Sequence, residues 1–209
     1  MNPLRILICG AFAAALAASW TARVQSSPGI SPQDPGSSAS KGDPSAAAQH
    51  YFTDVTLINQ YGQPMRLYSD LLKGRVVVVN AFFTSCQDTC PVMARSLAAI
   101  QDWLGDRLGK DVYLISMSVD PETDTPNRLK EYAERFKAKP GWFFLTGKKE
   151  NMDLALQKLG QYVSVKEDHL NIMIVGKEST GLWKKAMGLA KPADLFKVVE
   201  SVVNDKGTS

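Results

Sequence analysis

At 209 residues the chain has room for one ordinary domain with a full apolar core, plus appendages. A formal charge of +3, with both signs interleaved and no basic block set among aromatics, argues against nucleic acid as a partner. Three cysteines are too few for a small scaffold held together by disulfides.

Residues 1–20 carry the marks of a targeting segment. Arg5 provides a short positive start, residues 6–19 are almost unbroken apolar, and Ala13-Ala14-Ala15 and Ala15-Leu16-Ala17 both fit a small-x-small cleavage pattern. The run falls short of the roughly twenty residues a membrane span needs, which favours a cleaved export signal over an uncleaved anchor. Either way the remainder crosses a membrane into an oxidising compartment, the periplasm of a bacterium or, less expected, the mitochondrial intermembrane space. Cys9 lies inside the apolar run and follows Ile8 rather than a small residue, which makes it a poor lipid-attachment site.

Residues 21–49 shift to Ser, Pro, Gly, Ala, Gln and Asp, with Ser27-Pro28-Gly29, Asp34-Pro35-Gly36 and Asp43-Pro44 breaking any periodicity. Such a stretch predicts a flexible tether. The domain is expected over residues 50–205. Segments 55–58 and 65–68 alternate around Asn59-Gln60-Tyr61-Gly62-Gln63 and predict a hairpin. Residues 75–83 are apolar apart from Arg75 and Asn80 and rich in β-branched valine, as in a strand buried on both faces. Residues 91–108 have helical periodicity and end at Gly109, and 111–119 form a second buried strand. Thr125-Pro126 opens a helix with Thr as N-cap. A strand over 142–145, a helix over 150–160, a hairpin of 171–176 with 182–187, and an amphipathic helix over 193–203 complete the series. The alternation predicts an α/β sandwich with a mixed central sheet and an extra N-terminal hairpin.

The most informative segment is Cys86-Gln87-Asp88-Thr89-Cys90-Pro91, between the apolar strand and the following helix. Two cysteines four apart at a helix start place both sulfurs on one face, where the helix N-terminus favours thiolate. Such a pair can bind a soft metal, exchange disulfides or close into a bridge. Cα atoms four apart on a helix lie about 6 Å from each other, so geometry leaves these options open. A strand feeding a cysteine pair at a helix start within β-α-β is the thioredoxin-like arrangement, although thioredoxins put two residues between the cysteines and this chain has three.

His169, in Glu167-Asp168-His169-Leu170, is one of only two histidines. Two thiolates and an imidazole suit Cu(I), or Zn(II) with a fourth ligand. The other histidine, His50, is expected to be solvated. Met65, Met93, Met117, Met152, Met173 and Met187 occupy core-like positions rather than a methionine copper site. Asp88 is a candidate for bracing the loop or capping the helix and Asp168 for orienting His169, and each reads equally well as an exposed turn carboxylate. Asp120 and Asp124 are read as turn and capping residues.

At this point the chain resembles the Sco/SenC copper proteins. The resemblance is carried by Phe82-Phe83-Thr84-Ser85-Cys86-Gln87-Asp88-Thr89-Cys90-Pro91, Ser118-Val119-Asp120-Pro121-Glu122-Thr123-Asp124-Thr125-Pro126, Gly141-Trp142-Phe143-Phe144-Leu145-Thr146-Gly147, and Asp168-His169 before an apolar strand. It covers roughly residues 52–203. Gln87 stands where the family usually has proline. The resemblance implies a thioredoxin-like domain with copper, preferably Cu(I), bound by Cys86, Cys90 and His169. It also implies delivery to, or thiol maintenance of, the dinuclear copper site of cytochrome c oxidase, with a copper donor or thiol reductant as second partner. The competing reading is a thiol–disulfide oxidoreductase with Cys86 and Cys90 as catalytic residues and copper incidental. A peroxide-reducing enzyme is disfavoured, because Thr84 lies only two positions before Cys86 and does not complete a Thr-x-x-Cys pattern.

Overall fold

The computed structural model describes residues 44–207. The export segment expected over 1–20, with Cys9, and the tether up to residue 43 lie outside the described residues. Among the described residues, no helix is long and apolar enough to cross a membrane.

The centre is a seven-stranded mixed sheet. In chain order the strands are β1 (Thr56–Asn59), β2 (Pro64–Arg66), β3 (Val76–Phe82), β4 (Val112–Ser118), β5 (Trp142–Thr146), β6 (Ile172–Lys177) and β7 (Leu182–Met187). In space they lie in the order β2-β1-β5-β4-β3-β6-β7. The middle strands β3, β4 and β5 are parallel, with Val76 opposite Val112 and Leu114 opposite Trp142. The flanking strands are antiparallel: β1 on β5 and β6 on β3. The helices are α1 (Pro44–Phe52), α2 (Thr89–Leu104), α3 (Pro126–Arg135), α4 (Lys149–Lys158) and α5 (Pro192–Val203).

All seven residues of β3 are buried, which is why this stretch shows no polar alternation: both of its faces meet helices. Val76, Val78 and Phe82 point into a core shared with α2, α3 and α5. Val77, Val79 and Ala81 point the other way, into a core shared with α1, α4 and the turn over residues 67–72. The period of two thus divides one apolar run between two layers of packing. Thr125 caps α3 through Oγ1, which accepts from the Arg128 amide, and Pro126 takes the first helical position, as the sequence predicts.

Three expectations are revised. The stretch read as tether up to residue 49 ends in helix, because α1 begins at Pro44. Ala46-Ala47-Ala48 favour helix. Phe52 at its end is 7% exposed, its ring 5.0 Å from that of Trp183. Trp183 in turn lies over Gly176, its partner across β6 and β7, where a Cβ would come within 2.2 Å of the indole. The predicted helix 91–108 starts earlier, at Thr89, and gives way at Gly105 to a tighter turn. Met93, Met117, Met152 and Met173 are core residues, but Met187 is 66% exposed, at the end of the edge strand β7.

Candidate metal centre

The site forms where β3 runs out. The Cys86 amide donates to the Phe83 carbonyl at 3.2 Å, closing a turn over residues 83–86, and α2 begins three residues later. Cys86 and Cys90 therefore do not share a helix face, as the spacing predicts. Cys86 sits half-buried on the loop, whereas Cys90 occupies the first turn of α2 and is 1% exposed. The chain turn brings the sulfurs together, not the helical repeat. Asp88 stands at the N-cap position with its side chain making no cap bond.

His169 comes from the other side, after a short turn over Lys166–Asp168 and before β6. Its Nε2 lies 3.2 Å from Cys90 Sγ. The ligand atoms of Cys86, Cys90 and His169 all fall within 4.8 Å of one another. His169 Nδ1 donates to the Lys166 carbonyl at 3.0 Å, which fixes the tautomer and leaves the Nε2 lone pair facing the sulfurs. The backbone carbonyl of Lys166, not the carboxylate of Asp168, thus orients the ring. Asp168 is exposed. The Phe83 ring meets His169 edge-on at 5.5 Å, and a cleft of about 340 Å³ lined by Phe83, Cys86, Glu167 and His169 opens the site to solvent.

Burial sets the protonation of the inner pair. Desolvation, reinforced by the neighbouring Cys86 sulfur, pushes the Cys90 thiol up to about 12. The helix N-terminus does not overcome that desolvation at Cys90, contrary to the expectation from the sequence. Desolvation also lowers His169 below its ordinary value, so its imidazole is neutral at pH 7. A cation entering here replaces thiol protons and meets an imidazole already free to coordinate. Two soft sulfurs and one nitrogen suit a soft ion of low coordination number. A closed structural zinc site takes four protein ligands, and among the described residues the group supplies three His, Cys or carboxylate ligands.

Sequence reasoning missed the frame around these ligands. Asp124, read as a turn residue, is fully buried and accepts from the Thr84 amide at 3.2 Å, Thr84 Oγ1 at 2.5 Å and Ser118 Oγ at 2.6 Å. It pins the cysteine loop to the end of β4. Asp120 pairs with Lys166 Nζ at 2.7 Å. Burial pulls its carboxyl upward, but hydrogen bonds from Lys166 and Thr123 outweigh this and hold it below the usual carboxylate range. Neither contact follows a spacing rule, since the partners are 40 and 46 positions apart. Their one sequence signal is that Thr84, Asp120 and Asp124 all fall inside the quoted motifs.

The family model described as SCO1/SenC matches residues 43–202. The SCO1 protein homolog of Bacillus subtilis is 40% identical over 93 residues, which is 44% of this chain and 47% of that protein. The chain therefore spans about half the length of this relative. Arabidopsis thaliana ScoI, solved with copper bound, is 26% identical with a TM-score of 0.60, covering 71% of this chain and 94% of that one. BsSco, described as a member of the Sco family of cytochrome c oxidase assembly proteins with a disulfide switch, is 30% identical with a TM-score of 0.60, covering 72% and 92%. With a thioredoxin-like sheet, a Cys-Cys-His cluster at its strand end and a family match over most of its length, this chain belongs to the SCO1/SenC family.

Proposed function

We propose that this chain is an exported copper chaperone that binds Cu(I) through Cys86 Sγ, Cys90 Sγ and His169 Nε2. Its client is the cytochrome c oxidase subunit carrying the dinuclear copper site, to which it delivers copper or whose thiols it maintains. The observation that carries this reading is the convergence of two free thiols and a neutral imidazole within 4.8 Å at a solvent-open cleft. The copper-bound Arabidopsis relative and the assembly role described for BsSco support it. The burial gradient suits hand-over. Cys86, half-exposed on its loop, yields first to an incoming client thiolate, while Cys90 and His169 hold the ion from the buried side. Each exchange swaps one ligand bond for another, so no bare ion leaves. The apolar segment over residues 6–19 directs the chain out of the cytoplasm, to act at the membrane surface or free after cleavage.

A thiol–disulfide oxidoreductase is the second reading, favoured by the exposure of Cys86 and the nearness of its partner thiol. In that role Cys86 thiolate attacks a client disulfide and Cys90 thiolate releases the reduced client, leaving a Cys86–Cys90 disulfide. A thiol pushed up to about 12 is almost wholly protonated at pH 7, which makes Cys90 a slow resolving group and disfavours this reading.

The test is anaerobic titration of the reduced full chain, carrying Cys9→Ser, with Cu(I) against a competing chelator. One tight equivalent is expected. Cys86→Ala and Cys90→Ala abolish tight binding. His169→Ala weakens it by more than the roughly 10- to 100-fold that loss of an outer partner costs a metal site, leaving both thiols titratable. An affinity unchanged by His169→Ala refutes the three-ligand site, and no competitive binding together with a readily exchanged Cys86–Cys90 disulfide selects the oxidoreductase.

A further inference from the structure

We infer that the Asp120–Lys166 ion pair is a latch that positions His169, and that it ties the histidine loop to the same turn that holds the cysteine loop. The inference rests on the copper reading above. Residues 159–171 connect α4 to β6 without regular structure apart from the short turn over Lys166–Asp168. The loop is fixed at its start, where Gln161 Nε2 donates to the Val79 carbonyl at 3.0 Å, and at its end, where the Gly188 amide donates to the Asn171 carbonyl at 2.8 Å. Between these points the Asp168 and His169 amides bond only to carbonyls within the loop, those of Val165 and Lys166. Such bonds shape the turn but do not locate it; the loop is held from outside where His169 Nε2 meets Cys90 Sγ at 3.2 Å and where the Lys166 side chain leaves the loop.

Lys166 locates it. Its carbonyl accepts from His169 Nδ1, and its ammonium reaches out of the loop to Asp120 Oδ2 at 2.7 Å. The same ammonium lies 5.2 Å from the centre of the Phe83 ring, which contacts the His169 ring edge-on. The Asp120 side chain is only 12% exposed, so this pair is better shielded from solvent than an ordinary surface ion pair. Asp120 is itself fixed. Its amide donates to Ser118 Oγ at 3.0 Å, Ser118 Oγ donates to Asp124, and Asp124 accepts from Thr84, two residues before Cys86. A continuous series of bonds therefore runs from Thr84 through Asp124, Ser118, Asp120 and Lys166 to His169. Both ligand-bearing loops are referenced to the turn between β4 and α3, which makes the third ligand preorganised rather than recruited.

The experiment compares Lys166→Met, Asp120→Asn and Lys166→Arg with wild type in the full Cys9→Ser chain, each also in the His169→Ala background. Three quantities are read: Cu(I) affinity by chelator competition, the Cu–N component of X-ray absorption, and amide exchange of residues 166–169 without copper. Lys166→Met and Asp120→Asn are expected to weaken Cu(I) by about tenfold, to diminish the Cu–N component and to speed exchange at His169. Lys166→Arg keeps the pair and restores all three. In the His169→Ala background Lys166→Met changes the affinity no further, because the latch acts only through the histidine. Equal losses with and without His169, or unchanged affinity and exchange in Lys166→Met, overturn the latch. A wild type that binds no Cu(I) overturns the chaperone reading instead, and the metal-free exchange comparison then decides the latch by itself.

Discussion

Cys86 and Cys90 carry the same chemistry in unlike surroundings, and the difference of a few ångströms in depth divides their roles. Cys90 lies under the core of α2 and β3 and keeps its proton far into the alkaline range; Cys86 stands where a reagent or a client reaches it. In the reduced, metal-free protein at pH 8, a thiol-alkylating reagent is expected to modify Cys86 first. Cys90 should lag by at least about tenfold, reacting only as the domain opens. Peptide mass mapping over a time course checks this, and comparable rates would contradict the burial of Cys90. The chemistry of these residues is legible in the chain, because soft donors at close spacing announce a metal or redox site. Their depth is not, because it depends on how the loop over residues 83–88 folds back over α2. Of the two readings of Asp168, the exposed turn carboxylate holds, and the orienting role falls to a backbone carbonyl, which is present at every position and leaves no mark on the sequence.

At the scale of elements, periodicity located most of the strands and helices, and it failed where an element's partner is distant. β3 was legible because seven consecutive buried residues need no knowledge of what covers them. α1 was not. Its sequence is poor in large apolar residues, and its stability comes from Phe52 set against Trp183 and from Tyr68 Oη, 2.9 Å from the Ser45 carbonyl. A helix of nine residues gains little by itself and depends on such tertiary contacts. Phe52→Ala should therefore lower the unfolding free energy by about 3 kcal/mol, with Cu(I) affinity unchanged, since α1 packs on the sheet face opposite α2. Denaturant unfolding and chelator competition on one preparation test this. A stability loss under about 1 kcal/mol would show that α1 contributes little to the domain.

Across the whole domain, the buried histidine and thiol set opposite limits on the pH range of stability. The folded state holds the His169 proton less tightly than the unfolded chain. Stability present above about pH 6.5 is therefore lost as pH falls toward the folded value. Cys90 behaves inversely: the folded state holds its proton more tightly, so stability present below about pH 9 is lost as pH rises from there toward 12. Thermal unfolding of the reduced, copper-free protein should plateau between these limits and decline on both sides. His169→Gln should flatten the loss below pH 6.5, and Cys90→Ser the loss above pH 9. An acid flank unaffected by His169→Gln would trace that loss to other groups.

The sequence by itself determined the α/β class, the order of the strands and of the helices after α1, the mixed sheet with its N-terminal hairpin, and three donor residues whose chemistry points to a soft metal. These follow from short-range rules, since side-chain period and donor softness are properties of the residues themselves. Only the tertiary structure decided that α1 belongs to the domain and that Cys86 and Cys90 meet through a loop. It alone set His169 against Cys90 from 79 positions away and made Asp124 and Asp120, which also bound the turn between them, the frame of the site. The physical reason is common to all of these. Burial and long-range hydrogen bonding depend on which surfaces the fold brings together, and chain spacing does not encode that directly.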